Sequence, residues 1–145
     1  WNHTSEYVVT RIESGDAVDF AGEVLNPDDR ANLNLSYGYE DWNFTWRMRY
    51  WASSVDSVEG NNYNFTNYAP LEEYNEFPSV IYHDVSASYA ISDDMNISLV
   101  VRNAFDKEPP VANQSSVNGG TGINTVSEAY DVTGRYMQAS FTARF

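Results

Sequence analysis

The sequence predicts an all-β, antiparallel fold, and three observations support this prediction. Apolar and polar residues alternate with a period of two over most of the chain, and helical spacing is almost absent. Aromatic residues, which favour strands, make up 15% of the chain although its mean hydropathy is -0.51. The connections between alternating segments are either very short or very long. Together these features are typical of a segment of a transmembrane β-barrel.

Six segments are predicted as strands, with the bounds 6–13, 32–39, 42–50, 81–91, 95–105 and 134–145. The first has no clean apolar face. The others alternate strictly, and their lengths are close to the roughly nine to eleven residues of a tilted membrane-spanning strand. In the strand 95–105 the one polar residue in the apolar phase is Asn103. Backbone groups find no water in hydrocarbon, so such strands must pair into a closed cylinder.

The connecting segments define the two ends of the predicted sheet. Residues 40–41 and 92–94 are tight polar turns, whereas 14–31, 52–80 and 106–129 are too long for ordinary hairpins. If the tight turns share one end of the sheet, every long loop falls at the opposite end. The C-terminus then joins the tight-turn end.

The polar phase of these strands has the composition expected of a wet or plugged barrel interior. It is rich in Asn, Ser and Thr and poor in the Lys and Glu that usually cover solvated strands. Four arginines in this phase are predicted to face the lumen: Arg47, Arg49, Arg102 and Arg144. Arg135 falls in the apolar phase and opposes the assignment unless it reaches the outer interface, which its place early in the strand allows.

Aromatic residues fall where such strands are expected to meet the membrane surfaces. Tyr39 and Trp42, together with Phe145, lie near the tight-turn end, and Tyr50 and Phe105 lie near the opposite end. We therefore predict Tyr39, Trp42, Tyr50 and Phe105 as membrane-interface residues.

Composition excludes several other functions. The length of 145 residues predicts one compact unit, and the formal net charge of -13 opposes nucleic-acid binding. The absence of cysteine excludes disulfides and thiolate chemistry. The two histidines lack a metal-ligand spacing, and neither a G-x-S-x-G sequence nor a complete phosphate loop occurs. We expect no enzymatic activity, metal site or cofactor.

Two other folds remain open from the pattern alone. A soluble antiparallel sandwich also alternates, because it buries its apolar face against a second sheet. Such a binding module should be monomeric in buffer without detergent. The second alternative fold is a small autonomous membrane barrel. It needs about eight strands, which is more than the pattern predicts.

Two motifs near the end of the chain resemble a known family. The run NAFDKEPP at 103–110, the run YDVTGRY at 130–136 and the closing Phe145 are similar to the C-terminal end of TonB-dependent outer-membrane receptors. Upstream, 27–39, Asp41-Trp42 and Arg49-Tyr50 resemble the preceding hairpin of those receptors.

The resemblance implies that residues 1–145 are the C-terminal part, the last five or six strands, of a barrel of about 22 strands around a plug. The plug domain would be absent from this chain. The resemblance also implies a location in the outer membrane of a Gram-negative bacterium and TonB-driven uptake of a scarce ligand such as a ferric siderophore, cobalamin or a glycan. The expected partners are the lipid bilayer, the remaining strands and plug, TonB and the barrel-assembly machinery.

The last predicted strand has a second interpretation. Met137, Phe141 and Phe145 stand at alternate positions and resemble the signal by which the barrel-assembly machinery takes up a new protein. The simpler interpretation is that these residues only face lipid.

Overall fold

The computed structural model describes residues 1–10, 15, 17–55, 76–112 and 124–144. These residues contain ten strands and no helix. The strands are β1 (Asn2–His3), β2 (Val8–Thr10), β3 (Ala17–Asp19), β4 (Asp29–Tyr39), β5 (Trp42–Trp51), β6 (Ser54–Val55), β7 (Glu76–Phe77), β8 (Val80–Ser92), β9 (Met95–Arg102) and β10 (Tyr136–Ala143). Within these ranges no helix is long and apolar enough to cross a membrane.

Six of the strands form one antiparallel sheet in the order β1-β4-β5-β8-β9-β10. The predicted all-β, antiparallel fold class is thereby confirmed. The described sheet is open, with β1 and β10 at its edges, and it does not close into a barrel. At one edge β1 pairs with β4 only through Asn2 with Arg30 and His3 with Asp29.

The strictly alternating segments form the long strands of this sheet. The ends of β4, β5, β8 and β10 lie within three residues of the predicted bounds. β9 ends at Arg102, before the predicted end at 105. The chain leaves the strand because Asn103 and Asp106 take φ angles of 46° and 54°, in the left-handed region. Asn103 therefore lies in a turn rather than on an apolar strand face, and Phe105 lies in the same turn.

The weakly patterned segment 6–13 contributes β2, which pairs with β3 in a separate two-stranded ribbon. Residues 11–13 of the prediction lie outside the described residues. The Asp19 carboxylate accepts hydrogen bonds from the N–H groups of Ala21, at 3.0 Å, and Tyr7, at 2.9 Å. These bonds favour the ionised carboxylate and lower the pKa of Asp19 from its ordinary value of 3.8.

The register of β8, β9 and β10 separates their side chains into two surfaces. We call one the apolar face, whose cross-strand rows are Val85–Val101–Met137, Ala87–Leu99–Ala139 and Tyr89–Ile97–Phe141. We call the other the polar face, whose rows are Ser86–Val100–Gln138, Ser88–Ser98–Ser140 and Ala90–Asn96–Thr142. Successive side chains of a strand point to opposite sides, so the alternation in the sequence becomes two chemically different surfaces.

The chain divides into two compact units, whereas its length predicts one. The loop unit comprises Trp1–Arg30, Trp51–Val80 and Pro109–Val132. The sheet unit comprises Ala31–Tyr50, Ile81–Glu108 and Thr133–Phe145.

The loop unit has an apolar core of its own, although most of it is predicted as connecting loops. The buried apolar side chains described there are Val24, Pro27, Phe77, Val80, Ala112, Val126, Ala129 and Tyr130. The ring centroids of Phe77 and Tyr130 are 6.0 Å apart. Burial raises the pKa of Tyr130 because the phenolate would lose hydration, and the Ser54 hydroxyl lessens the rise. The N–H of Ala112 donates to the carbonyl of Asn124 at 2.8 Å and joins the two ends of the segment 113–123.

Candidate functional site

The apolar face is uncovered by the described residues of the sheet unit. Leu99 and Phe141 of this face are 48% and 61% exposed. The face continues onto β4 and β5, since the alternate residues Ser36 and Thr45 bond each other on the polar side, and there Leu35 and Tyr37 are 53% and 64% exposed. Tyr82 is the one buried apolar side chain among the described residues of this unit, and it lies in the polar phase. Antiparallel sheets normally pack their apolar face against a core. The apolar face is therefore the first candidate for an interaction surface.

Aromatic rings form two clusters on the apolar face. Near the tight turn that precedes β5, the centroid of Trp42 lies 5.6 Å from that of Phe44 and 4.7 Å from that of Tyr89. In the second cluster the ring of His83 lies 5.6 Å from Trp46, in the middle of β5, and 5.1 Å from Phe105, in the turn after β9. The second cluster therefore extends from the middle of the sheet to the turn after β9.

The predicted interface residues lie at strand ends. Tyr39 ends β4 and Trp42 begins β5, so both flank a tight turn. Tyr50 is the next-to-last residue of β5, and Phe105 is 76% exposed. From Trp42 to Tyr50 a strand rises about 26 Å at about 3.3 Å per residue. A tilt of about 40° leaves roughly 20 Å of height, comparable to the apolar band of about 25 Å in outer-membrane barrels.

The polar face carries a hydrogen-bonded network between strands. Arg47 donates through Nε to Oδ1 of Asn34 at 2.9 Å. Arg49 donates through Nη2 to Oδ1 of Asp84 at 3.2 Å, and its guanidinium carbon lies 5.2 Å from the centroid of the Tyr82 ring. The Asp84 side chain is 13% exposed, so this ion pair is screened less than a surface pair.

The other two predicted lumen arginines lie apart from this network. Arg102 ends β9 opposite Tyr136 and is exposed. Arg144 is exposed just beyond β10, and its N–H donates to the carbonyl of Asp94 at 3.0 Å. It borders a shallow depression of about 230 Å³ that Asp93 and Asp94 also line. The structure therefore does not bring the four arginines together into one site.

The turn that follows β9 is fastened by the side chain of Asn103, which is fully buried. The Asn103 amide donates to the carbonyl of Lys107 at 3.0 Å and accepts the N–H of Lys107 at 2.8 Å. The backbone N–H of Asn103 donates to Oδ1 of Asp84 at 3.0 Å, so this carboxylate holds both Arg49 and the turn.

The two terminal motifs of the sequence meet in the structure. Oδ1 of Asp106, in the first motif, accepts the N–H of Arg135, in the second, at 2.8 Å. Gly134 has a φ of 69°, and a Cβ there would lie 3.1 Å from the same Oδ1. The positive φ therefore favours glycine at 134, and a Cβ there would also crowd the Asp106 side chain.

The terminal strand is described up to Arg144, and Phe145 lies outside the described residues. Met137 and Phe141 point out from β10 with 60% and 61% of their surface exposed. Their role as an assembly signal remains a prediction.

Sequence analysis missed Asp84 and the pairing of Trp46 with His83. The available signal for Asp84 was its position as the single carboxylate of the predicted strand 81–91, in phase with nearby arginines. The signal for Asn103 was its polarity within an apolar phase. No group of three metal-ligating side chains occurs in the described part of the chain.

No family model matches the chain, and comparisons with curated proteins and with solved structures find no similar protein. The likeness to TonB-dependent receptors therefore rests on the motifs alone.

Proposed function

We propose that the chain is a membrane-spanning β-barrel segment of a TonB-dependent receptor in the outer membrane, which takes up a scarce ligand such as a ferric siderophore, cobalamin or a glycan. The apolar face carries this proposal. In a barrel segment that face meets acyl chains, and the polar face meets the lumen.

The exposed apolar area is large compared with the stability of a domain. Burying one large apolar side chain completely contributes about 1.5–3 kcal/mol, so about a dozen half-exposed ones leave roughly 10 kcal/mol unrealised. Whole domains are stable by only about 5–15 kcal/mol. We infer that the apolar face is covered in the working protein.

The polar face favours lipid over a second protein sheet as the cover. The outer face of a soluble sandwich is solvated and usually carries Lys and Glu. Here the central row is Ser88–Ser98–Ser140, and two of the arginines in the polar phase, Arg47 and Arg49, are bonded to Asn34 and Asp84. A narrow, enclosed, hydrated lumen suits small neutral polar side chains, and the aromatic ends of the apolar face suit the two membrane surfaces.

The receptor class rests on the two motifs and on the hydrogen bond between Asp106 and Arg135 that joins them. In this role the polar-face arginines contact plug or ligand, and the open sheet edges pair with further strands of the receptor. The transport energy comes through TonB, so uptake by the protein in its native outer membrane should be lost in cells without TonB.

Quenching by brominated lipid tests the membrane assignment. A variant that retains Trp42 as its only tryptophan is compared with one that retains only Trp1, which is 84% exposed and lies in the loop unit. In vesicles of phosphatidylcholine brominated on the acyl chains, Trp42 should be quenched strongly and Trp1 weakly. Equal weak quenching of both, with a monomer in buffer without detergent, would support the soluble sandwich instead.

Deleting Phe145 tests the role of the terminal strand. Expressed from its own gene with an internal epitope tag, the shortened protein should reach the outer membrane in lower yield. An unchanged yield leaves only the simpler role of facing lipid.

A further inference from the structure

Two side chains with polar ring atoms are paired on the apolar face. Trp46 of β5 and His83 of β8 are both partly buried, and Nε1 of Trp46 donates to Nδ1 of His83 at 3.1 Å. Their rings are inclined by only 7°. The pair satisfies an indole N–H that would otherwise lack a partner on an apolar surface.

The direction of this hydrogen bond determines the protonation state of His83. The indole N–H can only donate, so Nδ1 must offer its lone pair and carry no proton. His83 is then the neutral tautomer with its proton on Nε2. Protonation of Nδ1 and the hydrogen bond to Trp46 exclude each other.

The imidazole also connects β5 to the turn that follows β9. Phe105 presents its ring at 81° to that of His83, with centroids 5.1 Å apart. The carbonyl of His83 accepts the N–H of Ala104 at 2.7 Å. A movement of the His83 ring would therefore alter its contacts with both Trp46 and the Phe105 ring of this turn.

Among the described residues, no carboxylate of a neighbouring element is bonded to the His83 imidazole. On β5 and β9 these groups are Arg47, Arg49 and Arg102, all in the polar phase. On β8 the neighbour is Asp84, which is bonded to Arg49. The turn contributes Lys107 and Asp106, and Asp106 accepts the N–H of Arg135.

We propose that the Trp46–His83 pair is a proton-sensitive contact that is closed when His83 is neutral and opens when it is protonated. Protonation leaves two donors facing each other, so the hydrogen bond breaks and the ring contacts of His83 with Trp46 and Phe105 are lost. This inference rests on the ring geometry and holds whether or not the membrane assignment does.

Nuclear magnetic resonance on the full 145-residue chain in detergent micelles tests it. The indole cross-peak of Trp46 is followed from about pH 8 to pH 5 together with the ring protons of His83. Both should move along the same one-proton curve. The chain has one other histidine, His3, which supplies the matched control: His3→Gln should leave the Trp46 titration intact. His83→Gln should abolish it, because the amide carbonyl accepts the indole N–H at every pH.

A fluorescence measurement covers the case in which a variant folds poorly. A form that retains Trp46 as its only tryptophan should change its emission in acid, because the indole then loses its hydrogen bond and its ring contact with His83. A Trp46 signal that stays constant while His83 titrates overturns the proposal, as does a Trp46 titration that disappears in His3→Gln.

Discussion

Leu99 and Ser98 are adjacent residues near the middle of β9 that point to opposite faces of the sheet, and they provide the sharpest test of which face meets lipid. Each is flanked by small side chains across the strands, Leu99 by Ala87 and Ala139 and Ser98 by Ser88 and Ser140. An arginine therefore fits sterically at both positions. The pair of variants Leu99→Arg and Ser98→Arg differs mainly in the surface that receives the charge.

The expected difference follows from the medium that contacts each face. Arginine on the lipid face near the bilayer midplane costs about 2–4 kcal/mol, whereas lumen positions tolerate polar substitution. At about 1.4 kcal/mol per tenfold, the folding equilibrium constant of Leu99→Arg in membranes should fall roughly 30- to 1,000-fold. If the apolar face instead met water, Leu99 would be a surface residue, since 48% of it is exposed. The free energy of unfolding of Leu99→Arg would then stay within about 0.5 kcal/mol of the parent value.

Urea unfolding in phosphatidylcholine vesicles, followed by tryptophan fluorescence, measures both variants against the parent protein. We expect Leu99→Arg to unfold at much lower urea and Ser98→Arg to unfold close to the parent. Equal midpoints for the two variants would refute the assignment of the apolar face to lipid.

Three further predictions follow from described contacts. Asn103→Ala should lower the free energy of unfolding by about 1–3 kcal/mol, since it removes the hydrogen bonds to the N–H and the carbonyl of Lys107, and Asn103→Asp, which keeps the acceptor, should lower it less in the same urea titration. Gly134→Ala should cost about 1–2 kcal/mol because the residue has a φ of 69° and its Cβ would crowd Asp106, whereas Gly38→Ala, with ordinary contacts, should be nearly neutral. The ribbon of β2 and β3 should open in acid. Folding lowers the pKa of Asp19, so the contribution of Asp19 to the stability of the ribbon is complete above about pH 4 and is lost as pH falls through the lowered pKa. Amide exchange in the ribbon should therefore become faster in acid, and Asp19→Asn should abolish this pH dependence.

The long strands could be predicted from the sequence because their determinant is local. Alternation along β8, β9 and β10 assigns each side chain to a face, and the register places like residues opposite each other. The end of β9 could not be predicted in this way. The left-handed turn at Asn103 is fixed by a side chain that closes on Lys107, and nothing in a period of two reports such a contact.

The polar-face network depends on contacts between residues that are distant in the chain. Asp84 contacts an arginine 35 residues away, and Asp106 accepts an N–H 29 residues away. The composition of the polar phase predicted a hydrated interior, but it could not show which arginine forms an ion pair with Asp84. The core of the loop unit was missed for a related reason: Phe77 and Tyr130 stand in segments without periodicity, so only the folded chain shows that they pack together.

The hydrogen bond between Ala112 and Asn124 has a consequence for engineering. Because it joins the two flanks of the segment 113–123, foreign peptide can be grafted there without moving the points of attachment. Each doubling of the inserted length adds only about 0.6 kcal/mol of closure entropy. An epitope or a cleavage sequence placed in this segment should therefore label the protein while the hydrogen bond between Ala112 and Asn124 is kept.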